Sequence, residues 1–271
     1  MPSSRSTMLD TLFVRIADAA AAQTLPRFRG DTPVTNKSAN AFDPVTDADR
    51  DAETAIRKVI NEVFPEDSIL GEEHGLTEGT SGARWVIDPV DGTRAFISGI
   101  PVWTTLVGRE DQGVPVAGMI DQPFLAERWC AVDGETSYVR DGIAAKARVS
   151  GLEDLGAARL IVTDCRADDG YLDHGEARAI AQLAASCRVT RQGLDAYGFG
   201  LLASGHVDLA VEAALNWYDI AAVVPVIEGA GGVVMTWNGQ PVREDFERGR
   251  VIMAATPALA EAAAKILNEA L

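Results

Sequence analysis

Apolar residues fall at helical spacing at both ends of this chain and at strand spacing through its middle. Leu9, Leu12, Phe13, Ile16 and Ala20 share one helical face, so an amphipathic helix is expected over residues 8–28. Residues 30–41 are polar and read as a loop carrying Lys37. Ala52, Ala55, Ile56, Val59, Ile60 and Val63 form a second stripe, with Thr46 placed to cap it and Pro65 to end it. Short strands are expected at Ile69-Leu70 and at 85–87, then one or two helical turns through Phe96 and Ile97. Strands at 104–108, 116–120, 128–132 and 137–139 are separated by Asp-Gln-Gly, Gln-Pro and Asp-Gly turns, which fits an antiparallel sheet.

Past Ser150-Gly151 the pattern changes to alternation. It predicts strand 160–163, helix 176–187, strand 189–190, helix 197–204 and strand 207–211. A short helix at Asp219 follows, with Pro225 marking a helix start or a kink. A hairpin is expected from Val233 through Asn238-Gly239 to Val242, then strand 251–254. In the terminal helix Leu259, Ala262, Ala263, Ile266 and Leu267 mark the buried face. The chain thus divides into an α+β half, 1–150, and an α/β half, 151–271.

Composition narrows the function classes. The 271 residues are nearly half apolar, enough for a large core. A net charge of −16 disfavours a nucleic-acid or anionic-membrane surface, since phosphate groups need basic patches. Cys130, Cys165 and Cys187 are odd in number and lack a Cys-x-x-Cys spacing, so reduced thiols are expected. Asp10, Arg15 and Asp18 interrupt the N-terminal apolar stretch, against a signal peptide, and no uncharged run is long enough to span a membrane. A cytoplasmic protein is expected.

The chemistry gathers in Trp85-Val-Ile-Asp88-Pro-Val-Asp91-Gly92-Thr93-Arg94. A buried strand runs there into two carboxylates three residues apart. Gly92 permits a tight turn, and Thr93 offers a hydroxyl and an N–H at a helix start. Carboxylates fixed beside helix-terminal N–H groups suit a hard cation and a phosphate. The plainer reading is that both aspartates only shape a turn. Against it stand Asp43-Pro-Val-Thr46-Asp47-Ala-Asp49, Gly71-Glu72-Glu73, Trp217-Tyr218-Asp219 and Gly229-Ala-Gly231-Gly232, in that order along the chain.

Together these segments resemble the inositol monophosphatase family of magnesium-dependent, lithium-sensitive phosphatases. The resemblance implies an αβαβα layered sandwich, an α/β fold with the site between its halves, and a homodimer. It implies that Glu72, Asp88, Asp91 and Asp219, with the Val90 carbonyl, hold about two or three Mg²⁺ ions per site. It implies further that Thr93 with Glu72 deprotonates water, that Gly92 and Thr93 N–H groups grip phosphate, and that Asp47 supports Thr93 and a weaker metal. An N-terminal charge on a helix would equally explain Asp47. Lys37 is either part of a mobile loop over the site or a solvated lysine. Glu73 and Asp43 take no direct role.

Arg94-Ala95, Ile-Ser-Gly99, Ile120-Asp121-Gln122-Pro123 and Tyr218-Asp219 resemble the histidinol-phosphate phosphatase branch of the family. Inositol enzymes usually carry Trp where Tyr218 stands. The branch implies hydrolysis of L-histidinol phosphate to histidinol and phosphate, in histidine biosynthesis. Its cationic leaving group would meet Asp195 and Glu212, with Arg94 and Asp121 as further candidates; no role is carried over to Glu228. Alternatives are an inositol-1-phosphate phosphatase, a nucleoside bisphosphate phosphatase, and a regulatory binding protein on the same fold.

Overall fold

The computed structural model describes residues 4–30, 34–36, 44–167 and 171–271. Lys37 and Asp43 lie outside the described residues. The chain opens with α1 (Ser4–Thr24), which starts earlier and stops earlier than its apolar stripe indicates. Pro26 explains the stop, because the residue before a proline is driven out of the helical region. Strands β1 (Val34–Asn36) and β2 (Pro44–Thr46) then pair antiparallel and lead into α2 (Asp47–Val63). The Thr46 hydroxyl accepts the Ala48 N–H at 3.1 Å while Asp49 accepts the Thr46 N–H at 2.9 Å, a reciprocal cap.

β3 (Ser68–Gly71), β4 (Gly75–Thr77), β5 (Ala83–Asp91), α3 (Thr93–Ile97), β6 (Thr104–Asp111), β7 (Val114–Gln122), β8 (Glu127–Val132), β9 (Glu135–Arg140) and β10 (Ile143–Lys146) complete the first half. They form an eight-stranded sheet in the order β10-β9-β8-β7-β6-β5-β3-β4, antiparallel except where β3 runs parallel to β5. The chain leaves this sheet at Lys146 and enters the next at Arg159, so Ser150-Gly151 falls in the connection between sheets.

The second half comprises β11 (Arg159–Val162), α4 (His174–Ser186), β12 (Val189–Gln192), α5 (Asp195–Ala203), β13 (Leu209–Glu212), α6 (Trp217–Ile220), α7 (Val223–Gly229), β14 (Val233–Thr236), β15 (Val251–Ala254) and α8 (Pro257–Ala270). Its five-stranded sheet runs β12-β11-β13-β15-β14. Pro225 is the third residue of α7, where the missing N–H costs no intrahelical bond, so it marks a helix start. The expected hairpin after Val233 is corrected. The turn forms, with the Gly239 N–H on the Thr236 carbonyl at 2.9 Å, but residues 240–242 are not a strand. Pro241 has no N–H for a ladder, and β14 pairs with β15 instead. Strands β1, β4 and β10 are absent from the apolar pattern because they are short and largely exposed where described, and β2 because it is only three residues long.

Five layers result. Phe13, Ile16, Ile56 and Ile60 of α1 and α2 bury against Trp85, Ile87, Val107 and Met119 on one face of the large sheet. Leu183, Leu259 and Leu267 of α4 and α8 cover Leu160, Leu209 and Ile252 on the outer face of the small sheet. Between the sheets lie α5, α6 and α7, whose Phe199, Leu202, Ile220, Val223 and Val226 share one core with Leu106, Ile120 and Trp129. The architecture is the αβαβα sandwich. No helix among the described residues is long and apolar enough to cross a membrane.

The middle layer reaches the large sheet through a gap in its side chains. Gly108 on β6 and Gly118 on β7 are register partners. A Cβ on Gly118 would stand 2.1 Å from the Ala222 carbonyl oxygen, and one on Gly108 2.9 Å from the Ala221 carbonyl carbon. The main chain joining α6 to α7 therefore lies directly on the sheet. Gly118→Ala is expected to lower stability by about 1–3 kcal/mol or more, as overpacking against backbone does. A chemical-denaturation midpoint equal to that of the parent protein would show that the layer can retreat freely.

Candidate active site

β5 carries two of the acidic groups. Asp88 is buried, and its Oδ1 accepts the Val90 N–H at 3.0 Å. The β5–β6 register shifts between Asp88 and Asp91, and Pro89, which has no ladder donor, sits in this irregularity. The Thr105 hydroxyl holds the Pro89 carbonyl at 2.8 Å, fixing the bend. Gly92 follows with φ +79°, in the left-handed region. A Cβ there would also meet Asp195 Oδ2 at 2.8 Å, so backbone and space both require glycine.

Asp219 comes from the first turn of α6, its Oδ2 accepting the Asn216 N–H at 2.6 Å. Trp217 in the same turn buries its ring in the middle core and donates its indole N–H to Glu110 at 2.8 Å. Ligand-competent oxygens of Asp88, Asp91 and Asp219 lie within 4.8 Å of one another. At that separation two full charges repel by about 3.5 kcal/mol at an effective dielectric near 20. Burial and then neighbouring carboxylates push Asp88 and Asp91 well above the usual carboxylate range. Asp219 is pushed up to about 7, chiefly by burial and by Glu72. The structure thus accumulates negative charge that a divalent cation would offset. All the donors are hard oxygens, and no cysteine or histidine lines the site among the described residues.

These groups open into a cavity of about 600 Å³ between the halves. It is lined by the expected Glu72, Asp88, Val90, Asp91, Gly92, Thr93, Arg94, Asp195, Glu212 and Asp219, all brought together. Glu72 sits beside Asp88 and acts on it electrostatically. The Val90 carbonyl accepts the Thr93 hydroxyl at 3.1 Å. α5 begins at Asp195, and the next N–H, of Ala196, donates to Asp91 Oδ2 at 2.8 Å across the two halves. Asp195 adopts φ +47°, a left-handed conformation that Asp tolerates better than most residues. Burial raises its carboxyl to about 6 against the pull of Arg94. Glu212 ends β13, buried, accepting the Thr163 N–H at 2.8 Å and the Thr163 hydroxyl at 3.0 Å. Burial sets its carboxyl well above the ordinary range.

Asp47 is corrected. Its side chain is 68% exposed and faces Arg50 at 3.8 Å, away from the cavity. Asp49, two residues on and 1% exposed, is the acid that reaches Thr93, 3.4 Å from its hydroxyl. Two residues are about 200° around a helix, so the difference is one of facing. The cap motif Thr46-x-x-Asp49 was the signal that could have found it. Asp121 is likewise outside the cavity, buried in an ion pair with Arg128 at 2.6 Å. Glu228 is exposed and does not line it. Tyr171, Arg166 and Asn216 are lining residues that pattern alone did not single out; Tyr171 packs on the Arg94 guanidinium, 4.3 Å from ring centre to carbon.

The model of the inositol monophosphatase family matches residues 7–271. A chloroplastic bifunctional phosphatase of Arabidopsis thaliana is 37% identical over 229 residues, covering 83% of this chain; the chain spans 63% of that relative's length. A histidinol-phosphatase of Chlorobaculum parvum is 32% identical over 249 residues, 92% of each chain. A solved structure of an inositol monophosphatase from Zymomonas mobilis superposes with a TM-score of 0.84 at 36% identity, covering 98% of this chain and 100% of that one. This chain belongs to the inositol monophosphatase family and is a phosphatase of that family.

Proposed function

We propose that the chain is a Mg²⁺-dependent histidinol-phosphate phosphatase. Glu72, Asp88, Asp91 and Asp219, with the Val90 carbonyl, would hold the cations, about two or three of them. When bound, Mg²⁺ supplies neutralisation of the phosphate charge and an acidified water. Glu72 would accept a proton from a water in the cavity. The Thr93 hydroxyl, which gives its own hydrogen to Val90 O or Asp49, would orient that water through its lone pairs. Gly92, Thr93 and Arg94 line the cavity and would take the phosphate.

The observation that carries the substrate is a surplus of acid. Beyond the carboxylates assigned to metal, Asp195 and Glu212 also face the cavity. Among the described residues, the hydrogen-bond donors to Glu212 are the N–H and hydroxyl of Thr163, both neutral, and no ion pair matches its charge. A leaving group with an ammonium and an imidazole would supply the missing positive charge. The similarity to the Chlorobaculum parvum histidinol-phosphatase supports this reading. The Zymomonas mobilis likeness favours a second one, in which the leaving group is a neutral polyol such as inositol.

Phosphate release from a panel of monoesters, with Mg²⁺ and then with chelator, is the primary test. Turnover should appear only with the cation, and full activity after metal removal would end the proposal. Asp91→Asn preserves shape and removes charge, so kcat should fall at least about a hundredfold, the upper end of what loss of an outer metal-site partner costs.

Metal-free protein should lose stability as pH rises. The site carboxyls titrate above the ordinary value of about 4 when folded. Their stability contribution is therefore complete below that value and drains away as pH climbs towards about 7, where Asp219 titrates. Metal-free Tm should fall from about pH 5 to about pH 8, and added Mg²⁺ should raise Tm more at the upper end. A Mg²⁺ effect independent of pH would contradict the coupling.

Glu212→Gln separates the two substrates. A charge-assisted bond is worth about 1.5–3 kcal/mol, so the kcat/KM ratio of histidinol phosphate to inositol 1-phosphate should drop roughly tenfold to a hundredfold. A parent ratio at or below unity would assign the enzyme to the polyol, and an unchanged ratio in the mutant would clear Glu212.

A further inference from the structure

Asp49, Glu53 and Arg57 follow one another at four-residue spacing along one face of α2. Asp49 meets Thr93, and Glu53, one turn later, meets the turn that bears Glu72. The Glu53 side chain has no exposed surface. Its Oε2 accepts the Glu73 N–H at 2.7 Å, and its Oε1 accepts the His74 N–H at 3.3 Å and the Arg57 Nε–H at 2.7 Å. Arg57 continues outward, donating to the Thr77 hydroxyl at 3.1 Å and to the Gly75 carbonyl. One buried ion pair therefore grips both arms of the β3–β4 turn.

Glu72 is caught between two anchors. Its own N–H donates to the Ile87 carbonyl at 3.1 Å, one residue before Asp88. The next two N–H groups are held by Glu53. On the other side Gly71 is pressed against the same carboxylate, where a Cβ would stand 2.0 Å from Glu53 Oε1. Without these anchors, repulsion from Asp88 would drive Glu72 outward on a solvent-facing turn. A buried charged pair is a poor device for stability alone, since apolar residues of equal volume serve as well or better.

We propose that Glu53, braced by Arg57, is a positioning residue that holds Glu72 against the aspartate cluster and thereby sets the affinity of that cluster for divalent cations. The inference rests on the reading that Glu72 belongs to the cation site. It assigns to α2 the task of setting two active-site elements at once, Thr93 through Asp49 and Glu72 through Glu53.

The test is a calorimetric titration of the full chain with Mg²⁺ alone, without substrate, comparing the parent with Glu53→Gln, Gly71→Ala and Glu72→Gln. Glu53→Gln should raise the Mg²⁺ Kd roughly tenfold, the lower end of the effect of partners behind metal-binding groups, with stoichiometry unchanged. Gly71→Ala keeps every charge and displaces the Glu53 carboxylate by steric contact, so it should weaken binding in the same direction. It also decides the matter if Glu53→Gln does not fold. A fall in stoichiometry at unchanged Kd would mean that Glu53 only maintains the folded fraction, and would overturn the proposal. So would parent-like Kd in Glu53→Gln and Gly71→Ala while Glu72→Gln binds weakly. Parent-like binding in Glu72→Gln would instead remove Glu72 from the cation site, and the positioning role would go with it.

Discussion

Three carboxylates that repel one another must be held together by packing elsewhere, and the rest of the molecule is arranged around that requirement. Asp88 and Asp91 belong to the large sheet, whereas Asp219 belongs to a helix between the sheets. Each close pair costs about 3.5 kcal/mol when charged. Burying an aliphatic or aromatic side chain larger than alanine contributes about 1.5–3 kcal/mol, and the middle core buries eighteen of them, so packing wins. The Gly108–Gly118 gap lets the α6–α7 main chain approach closely enough for this to happen. The hydrogen bonds from Trp217 to Glu110 and from Ala196 to Asp91 then fix where the helices sit along the sheet.

The same arrangement makes the site a sink for positive charge. Burial raises every acidic group of the cavity for which a shift is resolved, joined by repulsion from neighbouring carboxylates at Asp88, Asp91, Glu212 and Asp219, so without a cation the site favours protons. Asp195 joins the two roles. It opens the helix whose next N–H supports Asp91, and its carboxylate lies against Gly92 in the turn that follows Asp91. Its left-handed backbone is a local cost borne at the centre of the site.

Much of this was legible in the chain. The apolar stripes of α1, α2 and α8 and the alternation of the second half marked the elements and their buried faces, because amphipathic periodicity reports which face is buried, while the layered order came from the family resemblance. The motif Asp88-Pro-Val-Asp91-Gly92-Thr93 announced a bent strand end and a turn, since proline, glycine and aspartate restrict the backbone locally. Resemblance brought in Glu72 and Asp219 from distant segments, and the structure places both at the cavity.

What pattern could not decide depends on facing and on long-range approach. Asp47 and Asp49 are equally acidic and two residues apart, and only the rotation of α2 against the sheet decides that Asp49 meets Thr93. Asp121 reads like a site residue until the sheet pairs it with Arg128 in the interior. The strand expected after Gly239 failed because β15, not the adjacent segment, offered a partner for β14. The chain by itself determined most of the helices and longer strands and the acidic turn of Asp88 and Asp91, since both follow from local periodicity and residue type. Which acids converge, and how close the helices come to the sheet, was decided by the tertiary structure alone, because contacts such as Gly118 with Ala222 and Glu53 with Glu73 join residues remote in sequence.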